Sequence, residues 1–376
     1  MRKTFKYRLY PNKQQTRLLI QQLEECRWLY NHLLAERKTT WEQRQESLSY
    51  YEQAKGLPAL KAERPALAQV QSQVLQNVAV RLGLAFQAFF RRLRAGEAPG
   101  YPRFRGQGRY SSLTYPQVPV GCHLDAEARR VRLHGVGLVK VLLHRPLEGI
   151  PQTATISRSS TGKWYVCFSC ECAEPSPLPA TGQVVGIDVG LKVFAMGSTG
   201  EVIENPRFFR TEEQALAGAQ RRLAKEEVGT PTRIKRRYVV ARIHERIRWR
   251  RGDFAHQHSR RLVNRYDMIA VEDLSVKGMV RNHHLAKSIQ DAAWSQFTSL
   301  LAYKAAWAGR QYVEVNPAYT SQRCSDCGWR NTALTLADRV FRCVNPTQPD
   351  CGLVLDRDLN ASLNILRLGQ QSLASA

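Results

Sequence analysis

Residues 3–9, KTFKYRL, alternate in polarity like a short strand, and Pro11-Asn12 then opens a helix. Leu19, Leu23, Cys26, Tyr30 and Leu33 follow at spacings of four and three, which is one helical face. A second face runs Val74, Val78, Leu82, Phe86, Phe89, Leu93. Residues 11–95 therefore predict a helical block, broken near Pro58 and Pro65. The segment 96–108, GEAPGYPRFRGQG, interrupts the pattern with glycine, proline, arginine and aromatics. From about 111 to 175 the texture is β: VRLHGVGLVKVLL and TATISRSSTGKWYVCFSCEC alternate, with Ser-Thr-Gly as a hairpin turn between Ser159 and Lys163. Cys167 and Cys170 form a C-x-x-C. Because Val166, Phe168, Cys170 and Cys172 share one strand face, packing is favoured there over a metal knuckle. The first strand and this region could close a small barrel around which the helical block is inserted.

PSPLPATG (175–182) reads as a linker. Beyond it, VVGIDVG is an apolar strand ending in Asp188, and KVFAMGSTGEVI a second strand with a glycine turn. Residues 212–264 predict two helices joined around Gly229-Thr-Pro, the second with Val240, Ile243, Ile247 and Phe254 on its apolar side. RYDMIAVEDL gives another apolar strand ending at Glu272; a helix (about 288–308), the strand QYVEVN, a cysteine segment and a final helix follow. That order predicts an α/β domain, so the chain as a whole is expected to be a multidomain α+β protein.

A chain of 376 residues is too long for one ordinary core. Its 56 Lys+Arg against 32 Asp+Glu leave a net charge of +24, which a polyanionic partner would relieve. Nucleic acid is the leading candidate. No apolar run approaches membrane-spanning length, and the basic start lacks the apolar core of a signal peptide, so no membrane partner and a prokaryotic cytosolic, nucleoid-associated location are expected. In that compartment nine cysteines argue for metal or free thiols over disulfides. Arg103 and Arg105, flanking Phe104, suit either a solvated loop or a phosphate contact beside a stacked base. On the second long helix Lys235, Arg236, Arg237, Arg242, Arg246 and Arg250 form either a solvated face or a polyanion-binding one; the density of basic residues favours the latter.

Asp188 and Glu272 end two apolar runs of the kind found in central parallel strands, whose carboxyl edge is where α/β domains place their sites. A third carboxylate, Asp358 at the start of the final helix, would complete an oxygen-rich pocket for Mg²⁺ or Mn²⁺. Such ions activate water and stabilise the leaving oxygen of a phosphodiester. Each residue also has a plainer role open to it. Asp188 could shape the turn before Gly190, Glu272 could pair with an arginine, and Asp358 could cap the final helix. Cys324-Ser-Asp-Cys327-Gly328 and the later Cys343 and Cys351-Gly352 fit a structural Cys₄ zinc ribbon, with VNPTQPD widening the second knuckle as an outward loop.

GIDVG, AVEDL, NPAYTSQRCSDCG and CGLVLDRDLNASLNI, in this order, resemble TnpB, a family of transposon-encoded RNA-guided DNA endonucleases related to type V CRISPR effectors. The likeness extends to KTFKYRLYPNKQQ, YPRFRG and GKWYVCF, and so covers nearly the whole chain. The resemblance implies a RuvC-like nuclease domain of RNase H fold (183–320 and 353–376) interrupted by a zinc ribbon (321–352). It also implies a wedge-like β-barrel (1–10 and 96–176) carrying an inserted helical recognition lobe (11–95). It assigns catalysis to Asp188, Glu272 and Asp358, with Asp356 as second choice; Asp358-Leu-Asn360 fits the family's Asp-x-Asn. It implies a guide RNA from the transposon end and a double-stranded DNA target beside a short motif. Two other readings are a cut-and-join transposase and a guide-dependent DNA-binding repressor that does not cut.

Overall fold

Alternation in the first residues produces strand β1 (Arg2–Tyr10), which buries Phe5, Tyr7 and Leu9. Asn12 then caps helix α1 (Lys13–Arg44): its side chain accepts from the Gln15 N–H while the Gln15 side chain accepts from the Asn12 N–H. The computed structural model describes residues 1–335 and 337–375, and the chain divides into two compact units, Met1–Ala173 and Glu174–Ala376.

In the first unit α1 is followed by short helices α2 (Tyr50–Lys55) and α3 (Leu57–Glu63), a 3₁₀ turn (Pro65–Gln69) and α4 (Ser72–Arg94). The predicted α1 face is buried along its length; on α4 Val74, Val78, Leu82 and Phe86 are buried, but the apolar stripe outruns the core and leaves Leu93 exposed. Six further strands follow: β2 (Ser112–Tyr115), β3 (Cys122–Asp125), β4 (Arg130–Leu133), β5 (Gly137–Leu142), β6 (Ile150–Arg158) and β7 (Trp164–Glu171). They join β1 in a near-closed antiparallel sheet ordered β2-β6-β7-β1-β5-β4-β3. Ser159 closes the β6–β7 hairpin on Lys163, and Val166, Phe168 and Cys170 face the core.

The second unit holds strands β8 (Val184–Val189), β9 (Ala195–Gly197) and β10 (Val202–Ile203), then helices α5 (Phe208–Ala224) and α6 (Pro231–Arg265), β11 (Met268–Glu272), α7 (Val276–Met279), α8 (His283–Ala292), α9 (Trp294–Trp307) and β12 (Gln311–Val315). The hairpin β13 (Val340–Arg342) and β14 (Val354–Asp356) and the helix α10 (Arg357–Ala374) complete it. β10 is two residues long and too short for alternation to reveal; the single helix expected at 288–308 is two, divided at Ala293 by a left-handed backbone (φ 55°). The five-stranded sheet runs β10-β9-β8-β11-β12, antiparallel up to β8 and parallel from β8 to β12.

Each central strand is buried on both faces. Val185, Ile187, Ile269 and Val271 pack with Leu262 and Val263 of α6 and Phe297 and Leu301 of α9, whereas Val184, Met268 and Ala270 pack with Ile365 and Leu366 of α10. α10 lies very close at Gly186: a Cβ there would stand 2.2 Å from the Ser362 carbonyl oxygen. Gly369 repeats this against Ala270, 2.6 Å from its Cβ. Only the second half of α6 reaches the sheet. Its first half, through Ile243 and Ile247, packs on Leu216 and Ala219 of α5.

Candidate active site and thiolate cluster

In the parallel ladder Ile187 pairs with Val271, so Asp188 and Glu272 are the next residues on adjacent strands and share a face. It is the face with Gly186 and Ala270, on which α10 lies. α10 runs from its first turn at the carboxyl end of β8 back past Gly186 towards Met268, which brings Asp358 near Asp188. Burial raises the Asp188 carboxyl well above its ordinary 3.8. The carboxylates of Glu272 and Asp358 raise it further, Arg357 opposes them, and Asp356 adds a smaller push upward. Burial also raises Glu272, against a hydrogen bond from Thr320 Oγ1 to its Oε1 at 2.5 Å.

The plainer roles open to these residues do not match the geometry. Asp188 lies inside β8, opposite Met196 of β9, rather than in a turn. Glu272 is hydrogen-bonded to Thr320 rather than to an arginine. The α10 cap is Asp356, whose Oδ1 accepts from the N–H groups of Asp358 (2.9 Å) and Leu359 (3.2 Å). The cap is thus supplied two residues earlier, and the Asp358 carboxylate lies 3.7 Å from Arg357 Nε. Asp188, raised by burial and then by two carboxylates, would be favoured in its charged form by a hard divalent cation, which oxygen donors suit.

Sγ atoms of Cys324, Cys327, Cys343 and Cys351 lie within 4.8 Å of one another, the one compact metal-ligating group among the described residues. Gly328 and Gly352, one residue beyond Cys327 and Cys351, have φ of 77° and 45°, the left-handed turns a knuckle requires. The insert after Cys343 leaves Val344 exposed but turns Asn345 inward, where its amide donates to Cys327 Sγ at 3.5 Å. Burial would raise the Cys327 thiol; hydrogen bonds from the Trp329 backbone, Asn345 and the neighbouring thiols bring it down to about 7. Four soft sulfur donors suit zinc.

The basic residues divide. In the first unit the Arg105 backbone is tied to Asn31, its guanidinium lies 5.3 Å over the Tyr30 ring, and Arg103 and Phe104 are exposed. On α6, Lys235, Arg237 and Arg242 are exposed, while Arg236 pairs with Glu226 at 3.5 Å. Arg246 and Arg250 both hold the buried Glu212 of α5, at 2.9 and 3.3 Å, yet keep about half their side chains in solvent. Sequence spacing could not show those pairs. It also missed Thr320 and Asn364, and named Asn360 only within Asp358-Leu-Asn360; the hint of Asn364 was its place four residues after Asn360, both of them buried.

No described helix is long and apolar enough to cross a membrane. Three family profiles match the chain: "Helix-turn-helix domain" over residues 1–46, "Probable transposase" over 167–283, and "Cas12f1-like, TNB domain" over 294–365. Residues 1–46 contain a strand and one long helix. A relative from Streptomyces pristinaespiralis named "Putative RNA-guided DNA endonuclease" is 36% identical, covering 98% of this chain and 90% of its own. "Putative RNA-guided DNA endonuclease InsQ" of Escherichia coli (strain K12) is 31% identical, covering 98% and 93%. The solved structure of "the mini-RNA-guided endonuclease CRISPR-Cas_phi3" shares the fold at 9% identity, with a TM-score of 0.54 over 98% of this chain and 92% of that one. With two relatives this similar along nearly their whole length, the chain belongs to the TnpB family of transposon-encoded RNA-guided DNA endonucleases.

Proposed function

We propose that this chain cuts double-stranded DNA selected by a guide RNA, in a RuvC-like, RNase H-type domain that uses Asp188, Glu272 and Asp358 to hold Mg²⁺ or Mn²⁺. One observation carries the reading: strand register sets Asp188 beside Glu272, and α10, packed on Gly186, starts at the same sheet end with Asp358, although 84 and 170 residues separate Asp188 from the two along the chain. When bound, the divalent ion would supply an activated water and stabilise the leaving oxygen of the phosphodiester. The side chains fix where that happens. Asp188 and Glu272 stand on neighbouring rigid strands, and Asp358 is brought in by α10 packed on Gly186. The mixed five-stranded order supports the RNase H-type reading.

In this reading zinc on Cys324, Cys327, Cys343 and Cys351 is structural, because four protein ligands leave no open position. Residues 1–10 with 96–176, 11–95, 183–320 with 353–376, and 321–352 would be the wedge, recognition, nuclease and ribbon domains. The net charge of +24 supports guide RNA and target DNA as partners, with Arg103, Arg105, Lys235, Arg236, Arg237, Arg242, Arg246 and Arg250 as phosphate contacts. Asp188→Ala should abolish cleavage of guide-matched DNA in Mg²⁺, by roughly a thousandfold or more, while RNA-dependent target binding stays within a few-fold of the parent. Equal loss of both would make the carboxylate structural. Joined DNA products from the parent protein would establish the transposase reading instead. Binding with no cut under any divalent ion would establish the repressor.

A further inference from the structure

Residues 316–325 lead from the end of β12 to the first zinc-ligating thiol and touch both metal sites on the way. Thr320 is buried there, its hydroxyl against Glu272 Oε1 at 2.5 Å. The Thr320 carbonyl accepts from Asn364 Nδ2 at 2.9 Å, and the same amide reaches the carbonyls of Arg323 (2.7 Å) and Asn360 (3.1 Å). Asn360 Nδ2 donates to the Arg323 carbonyl at 2.7 Å, and Asn360 Oδ1 accepts from the Ser325 N–H at 2.9 Å. Arg367 donates to Asn364 Oδ1 at 2.8 Å, which keeps the amide turned towards the loop. The two asparagines are 0% and 1% exposed.

Apolar residues would pack α10 as well. Burying two carboxamides is unfavourable unless their hydrogens are used, and here both are spent on one irregular segment. Among the described residues its one strand pairing is the isolated bridge of Arg323 with Arg330. Through it, Thr320 occupies one oxygen of Glu272 and leaves the other for an ion. A long flexible carboxylate at a strand end gains its orientation from such a partner. Resting on the carboxylate reading above, we propose that Thr320 is a positioning residue for Glu272, and that Asn360 and Asn364 tie its placement to the thiolate knuckle. Order at the zinc site then sets the geometry of the divalent-ion site.

The full chain tests this by Mn²⁺ titration followed by electron paramagnetic resonance, with hydrogen exchange as a second readout. Thr320→Val, which keeps shape but not the hydroxyl, should weaken Mn²⁺ binding about tenfold. Thr320→Ser should stay within about twofold of the parent, a rescue that a packing role would not give. Asn364→Leu should weaken Mn²⁺ similarly and deprotect the Ser325 amide and those of Gln322 and Arg323, which donate to the Tyr319 carbonyl in the same segment. Chelating zinc should weaken Mn²⁺ binding in the parent but little further in Asn364→Leu. Parent-like affinity in Thr320→Val overturns the positioning role; unchanged exchange in Asn364→Leu overturns the clamp. If the parent binds no Mn²⁺ that Asp188→Ala abolishes, the carboxylate reading fails instead, and exchange alone still decides the clamp.

Discussion

The thiolate knuckle and the proposed carboxylate site lie in one unit but are assembled in opposite ways. All four sulfurs come from one stretch, 324–351, brought together by two left-handed glycine turns and a three-residue hairpin ladder. The carboxylates come from two strands and a helix, spread over 170 residues. Local turns suffice for the first. The second depends on strand register and on one helix approaching a strand at near-contact distance. The knuckle has a small core of Phe341, Trp329, Leu334 and Leu353, so a metal on its thiolates would supply much of its stability; the carboxylates stand on a sheet buried on both faces.

Four perturbations would separate the two, from the largest effect down. Cys343→Ser or zinc chelation should unfold β13–β14, removing an apparent contribution on the order of 10 kcal/mol. Zinc release and hydrogen exchange over residues 321–356 measure it; a zinc-free chain with unchanged protection would reduce the thiols to packing. Gly186→Ala should cost about 3 kcal/mol in urea unfolding and lower cleavage, because backbone atoms of α10 leave no room for a methyl. Gly200→Ala, at φ 81° with open space around it, should cost only about 1 kcal/mol. Equal losses would contradict the close approach.

The third concerns pH. A raised Asp188 means that the metal-free folded state binds more protons than the unfolded chain between the ordinary aspartate value and the raised one. Stability should therefore fall as pH rises through that window. Asp188→Asn should flatten the slope and be more stable than the parent at neutral pH without metal, as denaturation at several pH values would show. A parent slope of opposite sign would remove the crowding. The smallest effect separates neighbouring acids: Asp356→Ala should lose about 1 kcal/mol of cap and keep cleavage. Asp358→Asn should keep stability and lose cleavage. The reverse pattern would exchange their roles.

How legible each site was follows from its construction. The knuckle was visible in cysteine spacing and Cys-Gly pairs, though nothing in VNPTQPD announced that Asn345 would turn inward to Cys327. The apolar runs VVGI and MIAV signalled strands buried on both faces, and their final acids marked the sheet edge. Which acid caps α10 was left open, since Asp356 and Asp358 both precede a helical pattern and only backbone geometry tells them apart. The ion pairs of Arg246 and Arg250 with Glu212 span 34 and 38 residues and leave no periodic trace. Thr320 was hidden because its meaning comes entirely from a residue 48 positions away.

The half of α6 that packs on α5 rather than on the sheet has the shape of a lever arm. From Ala255, packed at the sheet, to Pro231 the helix rises about 36 Å, so a tilt of about ten degrees at its base would carry the far end about 6 Å. A fluorophore at Val228, 81% exposed in the turn joining the two helices, would turn small adjustments around the sheet into a readable displacement.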